Sequence, residues 1–382
     1  MKEKLLRIGS YILVAALAAA VTLAVFCRGE DGPSKLDQLE SLIEERFIGE
    51  ADLTDLEDAA ADAMVNATGD RWSYYIPASE YQTYQEQMAN AYVGVGITIQ
   101  TAEEDAGFVV MAVNASGPAA EAGMQVNDLL IEVGGLDVRG MSVSEVRNLV
   151  RGEEGTFVDM TVMRKGEHMT LSVERRQVQT PVAEYEMLGN GIGLVTIANF
   201  DSRCAEETIA AIESALDNGA KKLIFDVRHN PGGYANELVK VLDYLLPEGE
   251  VFHTVTYDGK ENIDYSDEKC LDIPMAVLVN SGSYSAAEFF AAALQEYEAA
   301  IVVGEKTTGK GYFQNTFLLD DGSAVALSVG KYYTPKGISL ADVGITPDVE
   351  VSVDEETSSA IYYGTLTPEK DPQIQAAIKA LK

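Results

Sequence analysis

The residues best placed to do chemistry are a serine, a lysine and a pair of glycines, each just past the end of an apolar strand. Leu278-Val279-Asn280-Ser281-Gly282-Ser283-Tyr284-Ser285-Ala286-Ala287-Glu288 reads as a buried strand turning into a small-residue helix that continues through Leu294. A serine at such a turn presents its hydroxyl at a helix N-terminus, where the unpaired N–H of Ala286 can point at a developing oxyanion. The same pattern also describes an ordinary helix cap. Gly304-Glu305-Lys306-Thr307-Thr308-Gly309-Lys310-Gly311 sets a lysine between two glycines, after the apolar run Ile301 to Val303. A desolvated lysine has a lowered pKa and can serve as general base toward serine, although most lysines are solvated surface charges. Asp226-Val227-Arg228-His229-Asn230-Pro231-Gly232-Gly233 ends another strand with exposed backbone donors suited to completing an oxyanion hole, or simply turns a strand into a helix. Of the three histidines, His168 and His253 fall in strand patterns and read as structural; His229 alone lies beside one of these loops, as the weaker rival base.

The elements that must position these residues follow from periodicity. From Gly193 onward strands alternate with helices: Leu194 to Ile197, then a helix bearing Ile209, Ile212 and Leu216, capped near Asp201 or Ser202 and ended by Asn218-Gly219. Leu223 to Val227 is the next strand, a glycine loop leads into a helix running to Leu246, and Pro274 to Val279 is a further strand. The order predicts an α/β fold.

Tyr92 to Arg176 has a different rhythm, of short strands and turns. Phe108 to Val113 and Leu129 to Val133 are apolar runs; Val158, Met160 and Val162, then Met169, Leu171 and Val173, alternate around a Lys165-Gly166 turn. Ser142 and Glu145 make a capping box opening a helix to Val150. Gly94-Val95-Gly96-Ile97 supplies consecutive backbone N–H groups that can form a nest for a carboxylate beside a strand edge, a reading that competes with a plain glycine bulge. Ahead of this segment, Leu36, Leu39, Leu42 and Ile43, and then Leu53 through Met64, carry helical apolar spacing; two such helices cannot enclose a core alone, which points to docking or homodimerisation.

Composition sets limits. At 382 residues the chain builds more than one core. A formal net charge of −33, from 61 acidic and 28 basic residues, repels phosphate backbones and excludes nucleic acid as a partner. Cys27, Cys204 and Cys270 form no metal-ligand spacing, so no metal is expected; Cys204 and Cys270 are left open as a pair or as two free thiols. Ile8 to Phe26 is an uncharged, mostly apolar run preceded by Lys2, Lys4 and Arg7, close to the length that spans a bilayer, and predicts a signal-anchor with the remainder outside the cytoplasm. Cleavage after the small residues Ala18-Ala19-Ala20, releasing a secreted protein, is the competing expectation.

Taken together, the three loops resemble the C-terminal processing peptidases, or tail-specific proteases. Members of that family carry a Ser-Ala-Ser-Ala-Ser-Glu run, a Phe-Gly-Lys-Gly loop and an Asn-Pro-Gly-Gly loop together with a PDZ domain, which the order of elements between Tyr92 and Arg176 also resembles. Thr68-Gly69-Asp70-Arg71-Trp72-Ser73-Tyr74-Tyr75 and Gly344-Ile345-Thr346-Pro347-Asp348 extend the resemblance to most of the chain. It implies Ser285 as nucleophile, Lys310 as general base and Gln314 as the residue that orients the lysine. Oxyanion donors are implied at Gly233 and Ala286, with Gly232 as a neighbour, and peptide-carboxylate binding at Gly94, Val95, Gly96 and Ile97. The departures are local: Tyr284, Ala287 and Thr308 stand where the family has alanine, serine and phenylalanine, and Asn127 replaces a turn glycine.

The implied architecture is a cytoplasmic tail and anchor over 1–28, a helical segment over 29–90, a PDZ domain over 91–177 and a ClpP/crotonase-like core of β-β-α units over 178–382. The implied activity is a cofactor-free serine-type endopeptidase acting on exported proteins with apolar C-terminal tails. The alternatives are an inert peptide-binding scaffold on the same fold and acyl-CoA chemistry of the crotonase kind, the latter fitting poorly with an exported chain.

Overall fold

Apolar side chains gather into separate buried clusters, and each cluster follows from a local sequence rhythm. A computed structural model describes residues 33–103, 106–114 and 116–381; the Ile8 to Phe26 run lies outside them, and no helix among the described residues is long and apolar enough to cross a membrane. Contacts divide the chain after Tyr75. The first part holds helix α1 (Lys35–Arg46), opened by a Ser34/Asp37 capping box, and α2 (Leu53–Asn66), capped by Asp52, and neither helix contains a buried residue. Asp70 shapes the turn that follows, accepting from the Trp72 N–H at 3.1 Å and the Ser73 hydroxyl at 2.6 Å. A short strand, β1 (Tyr74–Ile76), comes next in sequence.

The second part begins with α3 (Ala78–Met88) and a strand β2 (Ala91–Gly94). The PDZ-like segment is built from β3 (Ile97–Thr101), β4 (Phe108–Val113), α4 (Pro118–Glu121), β5 (Leu129–Val133), β6 (Leu136–Asp137), α5 (Val143–Val150), β7 (Phe157–Arg164) and β8 (Glu167–Glu174). Its sheet runs β3-β4-β5-β7-β8, and its own core includes Phe108, Leu130, Val146 and Met160. The predicted Ser142/Glu145 capping box forms, and Asn127 takes the positive φ of 71° expected of a glycine substitute. Strand β9 (Arg176–Gln179) returns to pair antiparallel with β2, so entry to and exit from this segment form one two-stranded ribbon.

Beyond it lie β10 (Ala183–Met187), β11 (Ile192–Ile197), α6 (Cys204–Asp217), β12 (Lys222–Asp226), α7 (Ala235–Leu245), β13 (Gly249–Thr256), β14 (Glu261–Ser266), β15 (Met275–Val279), α8 (Ala286–Glu296), β16 (Ala300–Gly304), β17 (Tyr312–Leu318), β18 (Ala324–Tyr333), β19 (Val349–Glu350), α9 (Glu355–Tyr362) and α10 (Pro372–Ala380). The main sheet is ordered β10-β11-β12-β15-β16-β19, with β11, β12, β15, β16 and β19 mutually parallel. Parallel strands covered on both faces need apolar side chains in both directions, hence the unbroken runs that the sequence shows. Successive residues accordingly feed different cores: Leu223, Phe225, Val277 and Val279 face the cluster that contains α8, while Ile224, Ala276 and Leu278 face one closed by Ile374 and Ala377 of α10. Helix α8 is buried from Ala286 to Leu294: its alanines permit close approach to neighbouring elements, while Phe289, Phe290 and Leu294 fill the core around it.

Candidate active site

Four consecutive parallel strands, β11, β12, β15 and β16, deliver their loops to the same carboxyl edge of the sheet, where ligands of open α/β sheets bind. The loop after β15 brings Ser285 to the start of α8 with φ 57° and ψ −127°, a sparsely populated conformation for a residue with a Cβ. A strand-to-helix turn strained in this way is the device that lifts a nucleophile clear of its neighbours. The loop after β12 presses against it. A Cβ on Gly232 would lie 2.7 Å from Ser285 Cβ and 2.9 Å from the Ala286 nitrogen, so only glycine fits. Gly233, at φ 150°, bridges to Phe200 at the end of β11 and leaves no room for a side chain there. Among the described residues neither the Gly233 N–H nor the Ala286 N–H has a protein acceptor, so the two predicted oxyanion donors remain unclaimed beside the serine.

The residue that unites the serine and lysine loops is Glu288, to which sequence reasoning gave no role. Its carboxyl is fully buried, on the first turn of α8. Oε2 accepts from the Ser285 N–H at 3.0 Å and from the Lys310 N–H at 2.8 Å. Oε1 accepts from the Gly309 N–H at 2.7 Å and the Thr307 hydroxyl at 2.5 Å. A carboxylate offers about four lone-pair sites, and here each of the four contacts is a donor. The backbones of the serine and of the lysine therefore meet on one oxygen atom. The signal that could have found this residue was present: Ser285-Ala-Ala-Glu288 has capping-box spacing.

Lys310 itself places its Nζ 5.8 Å from the centre of the Tyr284 ring, beside the residue that precedes the serine. The rest of its loop is fixed from behind. Thr307 and Ile345 exchange hydrogen bonds, Asp342 donates to the Gly309 carbonyl at 2.8 Å, and a Cβ on Gly309 would collide with the Val343 and Gly344 nitrogens. The Gly344 to Asp348 motif thus works as a wall for the lysine loop. Gln314 lies on β17 opposite a bulge at Val329 of β18, its amide donating to Ser328 Oγ at 2.9 Å and to the Tyr312 carbonyl at 3.3 Å.

Two asparagines brace the turns. Asn230, fully buried, donates to the Ile197 carbonyl at 2.7 Å, accepts from the Gly232 N–H at 2.8 Å, and receives the Tyr284 N–H on its backbone carbonyl. Asn280 accepts from the His229 N–H, and its amide meets His229 Nε2 at 2.8 Å. That contact, with the edge of Tyr362 against the ring, engages His229 in a structural role. Burial and then the adjacent Arg228 charge lower its pKa. Burial alone would disfavour the charge on Arg228, but Asp226 and Asp371 outweigh it and raise its pKa. These contacts fasten the β12 loop to the start of α10.

Two expectations need correction or completion. Helix α6 is not capped by Asp201 or Ser202; Arg203 stands at the cap in a left-handed conformation, and Glu237 from α7 accepts the Ala205 N–H at 2.9 Å. The cap is tertiary, and local sequence could not disclose it. Asp201 is instead buried beside Gly233, where loss of solvent pushes its carboxyl up to about 7. Cys204 and Cys270 are both free thiols, the first buried and the second exposed. The predicted carboxylate loop, Gly94, Val95, Gly96 and Ile97, lines a groove between β3 and α5.

Known proteins resemble the chain over most of its length. Residues 191–351 match peptidase family S41, and residues 109–164 match a PDZ domain. The chain is 32% identical over 369 residues to the carboxy-terminal processing protease CtpA of Bacillus subtilis, covering 92% of this chain and 78% of that one. It is also 32% identical over 334 residues to a probable CtpA-like serine protease of Staphylococcus epidermidis, covering 86% and 67% respectively. A crystal structure of a putative S41 protease from Bacteroides fragilis superposes with a TM-score of 0.54 at 15% identity, over 92% of this chain and 98% of that one, which shows the shared fold.

Three outcomes follow from the geometry. Glu288→Gln satisfies at most two of the four donors and turns amide hydrogens toward the others; we expect kcat/KM to fall by about 10²-fold, the scale set by small displacements of reacting groups. Gly232→Ala should abolish activity through its collision with Ser285, whereas Gly259→Ala, equally left-handed but facing open space, should not; steady-state rates of both variants decide it. Asp201 binds its proton more tightly folded than unfolded, so its contribution to stability is present below the ordinary carboxylate pKa and is lost as pH rises through about 7. Asp201→Asn should raise the thermal midpoint at pH 8, with the difference closing toward pH 5; an equal difference at both pH values would contradict the assignment.

Proposed function

The chain belongs to the carboxy-terminal processing proteases of peptidase family S41, and from that premise we propose that it cuts peptide bonds with Ser285 as nucleophile and Lys310 as general base. The observation that carries this reading is the pair of hydrogen bonds that Glu288 Oε2 accepts from the Ser285 and Lys310 N–H groups, which draws the backbones of both residues together at the carboxyl edge of the parallel sheet. The uncharged Lys310 amine takes the Ser285 proton as Oγ attacks the scissile carbonyl. The N–H groups of Ala286 and Gly233 receive the oxyanion as the tetrahedral intermediate forms. The lysine then returns the proton to the leaving amine, and its amine next deprotonates a water that attacks the acyl-enzyme and releases Ser285. On the family likeness Gln314, four residues after Lys310, is the residue that orients the amine, its own amide being held by Ser328 Oγ and the Tyr312 carbonyl.

The substrates on this reading are exported proteins with apolar C-terminal tails. The tail's carboxylate sits on the Gly94–Ile97 nest, and its backbone extends the sheet at β3, an edge strand paired, among the described residues, with β4 alone. The Ile8 to Phe26 run anchors the chain in the cell membrane with the catalytic part outside the cytoplasm, and the apolar positions of α1, including Leu39 and Leu42, which are exposed, pair two chains as a homodimer.

The test is cleavage of an exported protein carrying an apolar tail. Ser285→Ala and Lys310→Ala should each lower the rate by at least about 10³-fold while leaving thermal unfolding close to that of the parent. A Lys310→Ala enzyme that cuts at the parental rate removes the dyad from consideration, and a fluorophosphonate label found on a residue other than Ser285 removes the nucleophile.

A further inference from the structure

The groove between β3 and α5 encloses about 270 Å³ and has two kinds of lining. Val95, Ile97, Val143 and Val150 are apolar and suit the terminal side chain of an extended peptide, whereas Arg147 and Arg151 bring two guanidinium groups to the same space. Positions 143, 147 and 150 recur at helical spacing, so α5 turns these three toward one face, and Arg151 follows as its extended C-cap residue. The two arginines are not equivalent. Arg151 is ion-paired with Glu86 of α3 at 3.2 Å, and its guanidinium lies over the Tyr92 ring, so its charge is already answered within the protein. Arg147 is exposed and has no carboxylate within ion-pair distance among the described residues. On a chain of net charge −33 an unanswered cation at the lip of an apolar groove is a charge-selective feature.

Resting on the reading of this groove as the tail site, we infer that Arg147 is a specificity determinant: it selects tails that carry an aspartate or glutamate within the last few residues before an apolar C-terminal residue. An extended ligand beside β3 directs alternate side chains toward α5, and a carboxylate on one of them meets Arg147 while the terminal side chain occupies the valine-lined end. A lysine in the same place meets a like charge, and the acidic surface elsewhere on the chain offers it no compensation at this position.

The experiment is fluorescence anisotropy on the full chain carrying Ser285→Ala, so that bound peptide is not cut. The probes are dye-labelled ten-residue peptides ending in valine, with aspartate, asparagine or lysine at each of the three positions before it, as free acids and as C-terminal amides. Aspartate should bind roughly 3- to 10-fold tighter than lysine in at least one position, an advantage that shrinks with added salt. Arg147→Gln should erase this preference and Arg147→Glu should reverse it, with affinity for the asparagine peptides little changed. Free acids that bind better than amides without any preference among aspartate, asparagine and lysine overturn the inference and leave the tail site standing. Amides that bind as well as free acids, or no binding by any peptide, overturn the tail site and the inference together. A preference for aspartate that survives Arg147→Glu assigns the selection to another residue and overturns the role of Arg147.

Discussion

One buried carboxyl group holds the site together. Glu288 receives hydrogen bonds from the serine turn and from Thr307, Gly309 and Lys310 of the lysine loop, and all four of these contacts are donors to its carboxyl oxygens. Inside a helix that is buried along most of its length, an unmet polar group costs on the order of 1–3 kcal/mol, so removing the carboxyl would strand several donors at once. The strained backbone of Ser285 persists because its N–H is held in this way and because Gly232 closes the space on the other side. Rigidity at the reacting position is therefore a product of complete hydrogen bonding rather than of apolar packing alone.

The same economy of contacts links the sheet edge to the PDZ domain. Thr180 donates to the Asn90 carbonyl at the base of the β2–β9 ribbon, and Arg203 donates to both the Asn90 and the Thr180 carbonyls, at 3.1 and 2.9 Å. The side chains of Asn90 and Asn199 pair through their amides. Between Asn199 and Arg203 stands Phe200, whose backbone bridges Gly233 and accepts from the Tyr234 N–H at 2.7 Å. The short segment leaving β11 thus has the ribbon on one side and the glycine loop on the other, and it positions both.

Much of this was legible beforehand. The strands at Phe108–Val113, Leu129–Val133 and Ala300–Gly304 appear where apolar runs bounded by turn residues placed them; for Ala300–Gly304 the run reflects a parallel strand covered on both faces. The helix ends at Asn218-Gly219 and the Ser142/Glu145 cap also came out as read, since caps are local chemistry. The loops holding Ser285, Lys310 and Gly233 were recognisable from glycine placement and family likeness. The cap of α6 was misread: Asp201 and Ser202 have the right side chains, but the donor that needed a partner found Glu237, 32 residues further along the chain.

The sequence by itself determined the elements and the loops in which chemistry is possible, because helical period, strand alternation and turn residues act over a few neighbouring positions. The tertiary structure alone decided which loops meet. Parallel strands stack their carboxyl ends together regardless of the distance between them in sequence, which is how Glu288 comes to accept from Gly309, 21 residues away, and Asn230 to donate to the Ile197 carbonyl, 33 residues before it. Contacts of that kind depend on sheet order and register, and these are set by the burial of both faces at once rather than by any local signal.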